Sequence, residues 1–277
     1  MPRVHRQGVL IDTVAAPAVH LNPASRPFLL VVCRYPGAIA EDELAMILHS
    51  GKLSDGELVS LPLLDHSTPE PDDLDLSTYT GVLITGSPLS LTGHGSTTPD
   101  QERLTRRALS LCRRLVEEDV PTLGLCFGHQ AIVLALGGSL RDDVGEELQA
   151  ASLSLTEAGR HDPLTGGLPE SFRAYVGHSE SASSLPGDSV LLVGGERCPI
   201  QMARWGRHVY GTQFHPEITT AGMRLRIDAY GDTYYAADER AAVIERCDTA
   251  DVTGANSLVA RFMDLCRDGW PENWGHV

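Results

Sequence analysis

The segment Gly124-Leu125-Cys126-Phe127-Gly128 sets a thiol between two glycines, each two residues away. A short apolar run from Thr122 to Leu125 enters it, and a mostly apolar stretch from Gln130 to Leu136 leaves it. A nucleophile with glycines at that spacing, between a strand and a helix, fits a sharp turn that lifts the side chain above a sheet edge. The glycines are needed because neighbouring chains pass close to such a turn, where a Cβ would clash. The start of a helix favours thiolate over thiol in general, through its unpaired N–H groups and its dipole. Those N–H groups can also hold an oxyanion. The amide of Phe127 is one expected donor, and Gly86, a bare piece of backbone ending another strand, is the second.

A sulfur nucleophile needs a base. Gln213-Phe214-His215-Pro216-Glu217 follows an apolar run from His208 to Phe214. If that run is a central strand, His215 emerges at the same sheet edge as Cys126. A neutral imidazole there can take the thiol proton and later return it to a leaving amine. Glu217, two residues on, projects to the same side of an extended segment and can accept the other ring N–H. Pro216 stiffens the link. His129, beside the turn, is expected to pack or hydrogen-bond locally.

The elements that must position these groups alternate along the chain. Phe28 to Cys33 is a continuous apolar run of the kind buried in parallel sheets, and Glu41 to His49 has helical spacing. Short strands are expected over Glu57–Leu63 and Gly81–Thr85, with a polar loop over residues 65–75 between them. Pro99 to Glu118 is an amphipathic helix with Leu104, Ala108, Leu111 and Leu115 on one face. From Leu148 onward the pattern changes to alternating strands over residues 150–155, 189–193 and 199–205 with little helix between. Leu258 to Cys266 reads as a C-terminal helix. The expected fold is α/β, a mostly parallel central sheet flanked by helices, with a small antiparallel addition. Residues 1–26 read as an N-terminal extension and 27–277 as a single domain.

Lys and Arg total 22 against 37 acidic residues, a net charge of -15 with no basic run, which argues against a nucleic-acid partner. No apolar stretch approaches the ~20 residues that span a bilayer, and no signal peptide precedes the first strand, so no membrane partner and a cytoplasmic location are expected. The six cysteines show no metal-type pairing. Free thiols are expected rather than three disulfides, with Cys33, Cys112 and Cys266 packed in the interior. No cofactor and no metal are expected.

The paired motifs, Gly124 to Gln130 and Gln213 to Glu217, resemble the signature of the class I glutamine amidotransferases, whose fold is flavodoxin-like. The resemblance runs from about Phe28 to Glu217 and is strongest to stand-alone members similar to the glutaminase domain of GMP synthetase. Supporting stretches are Ile84 to Pro88, Leu155 to Leu164 and Gly177 to Glu180. The resemblance implies that Cys126 attacks the γ-carbonyl of a glutamine-like side chain to give a γ-glutamyl thioester, with His215 and Glu217 completing a triad. It also implies that Gly86 and Phe127 form the oxyanion hole. Gln130 would bind the glutamine, and main-chain groups of Ser179 and Glu180 would read its α-substituents. Ser87 stands where the family commonly has a second glycine, and Ser179 where glycine is frequent.

The chain carries no Ser-Gly-Gly-x-Asp-Ser loop and no Gly-x-x-x-x-Gly-Lys-Ser/Thr loop to use ammonia. Two readings follow: hydrolysis of a small γ-glutamyl compound by this chain alone, or supply of ammonia to a separate synthetase subunit. An idle regulatory module and a chaperone-like or redox relative of the fold rank below both, because the three catalytic residue types are intact.

Overall fold

The structure is a computed structural model that describes residues 26–92, 97–235, 237–272 and 274. Apart from Arg26, the expected N-terminal extension lies outside them. The chain runs β1 (Phe28–Val32), α1 (Ala38–Ser50), β2 (Leu58–Pro62), β3 (Val82–Ile84), α2 (Pro99–Glu117), β4 (Thr122–Leu125), α3 (Phe127–Ala135) and β5 (Ser139–Arg141). It continues with β6 (Glu146–Leu155), α4 (Glu157–His161), β7 (Ser171–His178), β8 (Ser181–Ser184), β9 (Val190–Gly195), β10 (Met202–Trp205) and β11 (Val209–Thr212). Helices α5 (Thr220–Tyr234), α6 (Arg240–Asp248) and α7 (Thr253–Asp268) close it.

Nine strands form one sheet in the order β2-β1-β3-β4-β11-β10-β9-β6-β7. The first five pair in parallel and the remaining pairs are antiparallel. Most of the antiparallel strands therefore extend the main sheet instead of standing beside it. Among the described residues, only β5 and β8 form a separate two-stranded sheet. The alternation of β1 explains how the layers assemble. Phe28 and Leu30 face a core shared with Leu258, Val259 and Phe262 of α7, whereas Leu29 and Val31 face a core built on Leu104, Leu111 and Leu115 of α2. Helix α2 starts where the Thr98 hydroxyl accepts from the Gln101 N–H (3.2 Å) and Pro99 fills the first turn.

The region after β11 is more helical than its sequence suggested. Helix α6 shows little periodicity, yet Val243 and Cys247 are buried against Tyr175 and Leu148. The tail folds back so that Trp270 and Trp274 stack on each other (5.5 Å), with Trp270 on Tyr210 (5.6 Å). Helix α7 also runs well beyond its expected Leu258–Cys266 span. Among the described residues no helix is long and apolar enough to cross a membrane. All six cysteines are free thiols, and Cys33 and Cys112 are fully buried.

Candidate active site

The parallel register places the ends of neighbouring strands at one edge. Ile84 pairs with Gly124, and Thr212 with Leu125, so the residues following β3, β4 and β11 emerge side by side. Such carboxyl edges are where open α/β sheets bind ligands. Cys126 follows β4 directly and caps α3 with φ 48° and ψ -94°, in the left-handed region that a non-glycine residue rarely enters. The turn is held by its own packing. A Cβ on Gly124 would lie 2.7 Å from the Gly128 carbonyl carbon, and one on Gly128 would lie 2.8 Å from the Ile84 oxygen. The Cys126 N–H is tied to the Thr212 carbonyl of β11 (2.7 Å).

His215 is anchored by its N–H to the Tyr175 carbonyl (2.8 Å), a single bridge from β7 to the segment after β11. Its Nδ1 donates to Glu217 Oε1 at 2.7 Å, and the ring shares the cavity with Cys126. Burial opposes charge on this ring, but the Glu217 carboxylate, its hydrogen bond to the ring and the neighbouring Cys126 outweigh it and raise its pKa to about 10. For the fully buried Glu217, desolvation opposes ionisation and the His215 ring wins, holding the carboxyl below its usual range. Cys126 and His215 open on a cavity of about 170 Å³.

Gly86 follows β3 at this edge. A Cβ there would be 3.9 Å from Cys126 Cβ and 3.2 Å from His215 Cε1, so the Gly86 backbone lies close beside both side chains. Phe127 opens α3, whose first N–H groups lack intrahelical partners. Ser87, next to Gly86, lines the cavity, and its hydroxyl accepts from the Leu89 N–H (3.0 Å).

The side chains of the three residues expected at the substrate are placed as follows. Gln130 Nε2 donates to the Glu180 carbonyl (2.6 Å) and to Gln213 Oε1 (3.1 Å), so its amide is held within the protein. The Glu180 carboxylate accepts from Ser90 (2.6 Å), from the Leu91 N–H (3.2 Å) and from Thr92, fixing the loop after β3. Ser179 is exposed. None of the three lines the cavity. His129 packs against Trp205 (5.6 Å) and neither ring nitrogen has a hydrogen-bond partner among the described residues; burial lowers its pKa to about 3. It therefore packs rather than bonds.

Comparison with known proteins places the chain in a family. The model of the glutamine amidotransferase class I family matches residues 47–227, well over half of the chain. The chain belongs to this family. The glutamine-hydrolysing GMP synthase subunit of Halobacterium salinarum is 29% identical over 60% of this chain and 79% of its own length. Gamma-glutamyl peptidase 5 of Arabidopsis thaliana is 31% identical over 53% of this chain, though over only 57% of that relative. A glutamine amidotransferase from Thermotoga maritima shares the fold with a TM-score of 0.69, covering 88% of this chain and 99% of its own at 17% identity.

The cavity also holds polar groups that residue types and spacing did not reveal. Arg34, just past β1, lines the cavity and makes a two-pronged ion pair with Glu43 of α1 (both 3.0 Å), with Nη1 donating to the Tyr230 hydroxyl (3.2 Å). Burial pushes Glu43 upward while Arg34 pulls it back, and Glu43 in turn overcomes the burial that would discharge Arg34. Arg226 of α5 also lines the cavity and is held by Asp42 (2.8 Å). Gln213, inside the second motif, places Nε2 at 3.5 Å from Cys126 Sγ. The placement of Arg34 after a strand of this edge was a signal that could have singled it out; Arg226 sits on a helix whose approach sequence does not show.

Proposed function

We propose that the chain hydrolyses the γ-amide of glutamine or of a small γ-glutamyl compound through a thioester on Cys126. The observation that carries this reading is that Cys126 and His215 line one small cavity, with the His215 ring held by Glu217 at 2.7 Å. With the shared proton resting on His215, the Cys126 sulfur attacks the amide carbon. The oxyanion that forms faces the N–H groups of Phe127 and Gly86, donors whose individual loss typically costs roughly 3 kcal/mol. As the C–N bond breaks, the His215 imidazolium returns the proton to the departing ammonia or amine. Water then attacks the thioester with His215 as base, and the C–S bond breaks to restore Cys126. Glu217 holds the ring tautomer and stabilises the imidazolium.

The amino acids that read the α-substituents of the substrate are proposed to include Arg34 and Arg226 rather than the Gln130 side chain, which is held by Glu180 and Gln213. The amide nitrogen released at each turnover is either discharged to water or passed to a separate synthetase. The second reading is favoured by the likeness to the Halobacterium protein, which is named as one subunit of a GMP synthase. Release of ammonia or amine from glutamine and a panel of γ-glutamyl compounds, beside Cys126→Ala, tests the mechanism. Equal release by the two proteins refutes it. Activity on a γ-glutamyl peptide in the chain alone favours the hydrolase, and activation on glutamine only when a synthetase is added favours the ammonia donor.

A further inference from the structure

A second buried cluster lies behind the cavity wall. Glu146 opens β6, His178 closes β7 opposite it in register, and Cys198 lies between β9 and β10. The Nε2 or Nδ1, carboxylate oxygen and Sγ atoms of these residues come within 4.8 Å of one another, and all three residues are buried. His178 Nδ1 lies 3.0 Å from the Glu180 carbonyl, which can only accept, so Nδ1 carries hydrogen. Nε2 lies 2.9 Å from Glu146 Oε2, an oxygen that already accepts from Gln201 Nε2 (2.7 Å).

The side on which Nε2 meets the Glu146 carboxylate, with Cys198 Sγ in reach, is where a metal ion could be held. Two further observations favour the metal. Cys198 adds a sulfur ligand that a proton between nitrogen and oxygen would not need. Gln201 Oε1, on a residue with no exposed surface, has no hydrogen-bond partner among the described residues although its amide nitrogen is fixed at the same carboxylate. An imidazole that donates its far N–H to a backbone carbonyl is also the arrangement that orients a metal-bound histidine.

We infer that Glu146, His178 and Cys198 form a binding site for a single borderline-soft divalent cation of the zinc type. One thiolate, one imidazole and one carboxylate suit Zn2+ better than the hard cations, which prefer all-oxygen ligands. The site is distinct from the reacting centre. Cys198 is fully enclosed, whereas Cys126 lines the cavity. The two are nevertheless joined, because the Glu180 carbonyl that fixes His178 also accepts from Gln130, and Gln130 orients Gln213 toward Cys126. The ion would pin β6, β7 and the approach to β10 into one wall.

The full chain, exposed to excess Zn2+ and dialysed, is expected to retain about one zinc per chain by elemental analysis. Co2+ in its place is expected to give a near-ultraviolet sulfur-to-cobalt charge-transfer band. Cys126→Ala should keep both signals, which separates this site from the proposed chemistry. Cys198→Ser and His178→Gln should each abolish the band and lower retained metal by about tenfold or more. A wild-type chain that keeps no stoichiometric metal overturns the inference. Equal retention by a folded Cys198→Ser variant also overturns it. If these variants do not fold, the wild-type cobalt spectrum decides, and absence of the sulfur band is the refuting result.

Discussion

Replacing Glu217 by Gln isolates the charge that makes His215 an acid. Glu217 is fully buried, its Oε1 is 2.7 Å from Nδ1, and it is the largest of the influences that raise the His215 ring from its ordinary 6.5 to about 10. At about 1.4 kcal/mol per factor of ten in acidity, the ring's preference for imidazolium is about 5 kcal/mol. Burial acts in the opposite direction, so removing the carboxylate gives up most of that preference and leaves desolvation opposed by Cys126 alone. Glutamine is the same size and can still accept a hydrogen bond, so the fold should survive. The proton donated to the leaving amine then comes from a ring that resists holding it. We expect kcat/KM for a γ-glutamyl substrate to fall by about 10³ to 10⁴ with KM little changed, the scale found when a buried carboxylate is neutralised behind a catalytic histidine. The assay is continuous ammonia release at pH 7 with matched far-ultraviolet circular dichroism. A Glu217→Gln enzyme within about fivefold of wild type, at a loss below about 1 kcal/mol, would refute the assigned role.

The same pair predicts a pH dependence of stability. Because the folded ring titrates at about 10, its contribution is complete below its ordinary 6.5 and is lost as pH rises toward 10. Glu217, held low, contributes above the ordinary carboxylate range and loses its contribution as pH falls below it. Thermal melts from pH 6 to 10 should therefore show an alkaline loss in wild type that is smaller in Glu217→Gln; parallel curves refute the coupling. Gly128→Ala forces a Cβ to 2.8 Å from the Ile84 oxygen, and urea unfolding should report a loss of about 1–3 kcal/mol together with lost activity. Arg34→Met strands Glu43 without a partner in the interior, at an expected cost of about 3–5 kcal/mol, much of which Glu43→Gln in the same chain should restore. No recovery in that double variant would show that the ion pair is not what Arg34 supports.

The parallel half of the fold was legible because its signals are local. Phe28–Val32, Val82–Ile84 and Thr122–Leu125 are short apolar runs, and a strand buried on both faces needs nothing else. The glycines around Cys126 marked a turn for the same reason, since the clash that each avoids lies within a few residues or on the next strand. The antiparallel half was harder to read. Ser171–His178 alternates only weakly, and its place beside Glu146–Leu155 depends on partners distant in the chain. Helices α5 and α6 were missed because their buried faces are narrow and are set by the surfaces they cover.

The sequence by itself singled out Cys126, His215 and Glu217 for the proposed chemistry, because each sits where a strand ends and strand ends are written in a few consecutive residues. Tertiary structure alone decided what surrounds them. Gln130 has the residue type to bind glutamine, yet it is occupied by Glu180 and Gln213, partners 50 and 83 residues away. Arg34 and Arg226 reach one cavity from opposite ends of the chain, and Glu146, His178 and Cys198 meet only through strand pairing. A hydrogen bond or a cation site depends on distances of a few ångströms between residues far apart in sequence, and those distances are fixed by packing the sheet, not by local spacing.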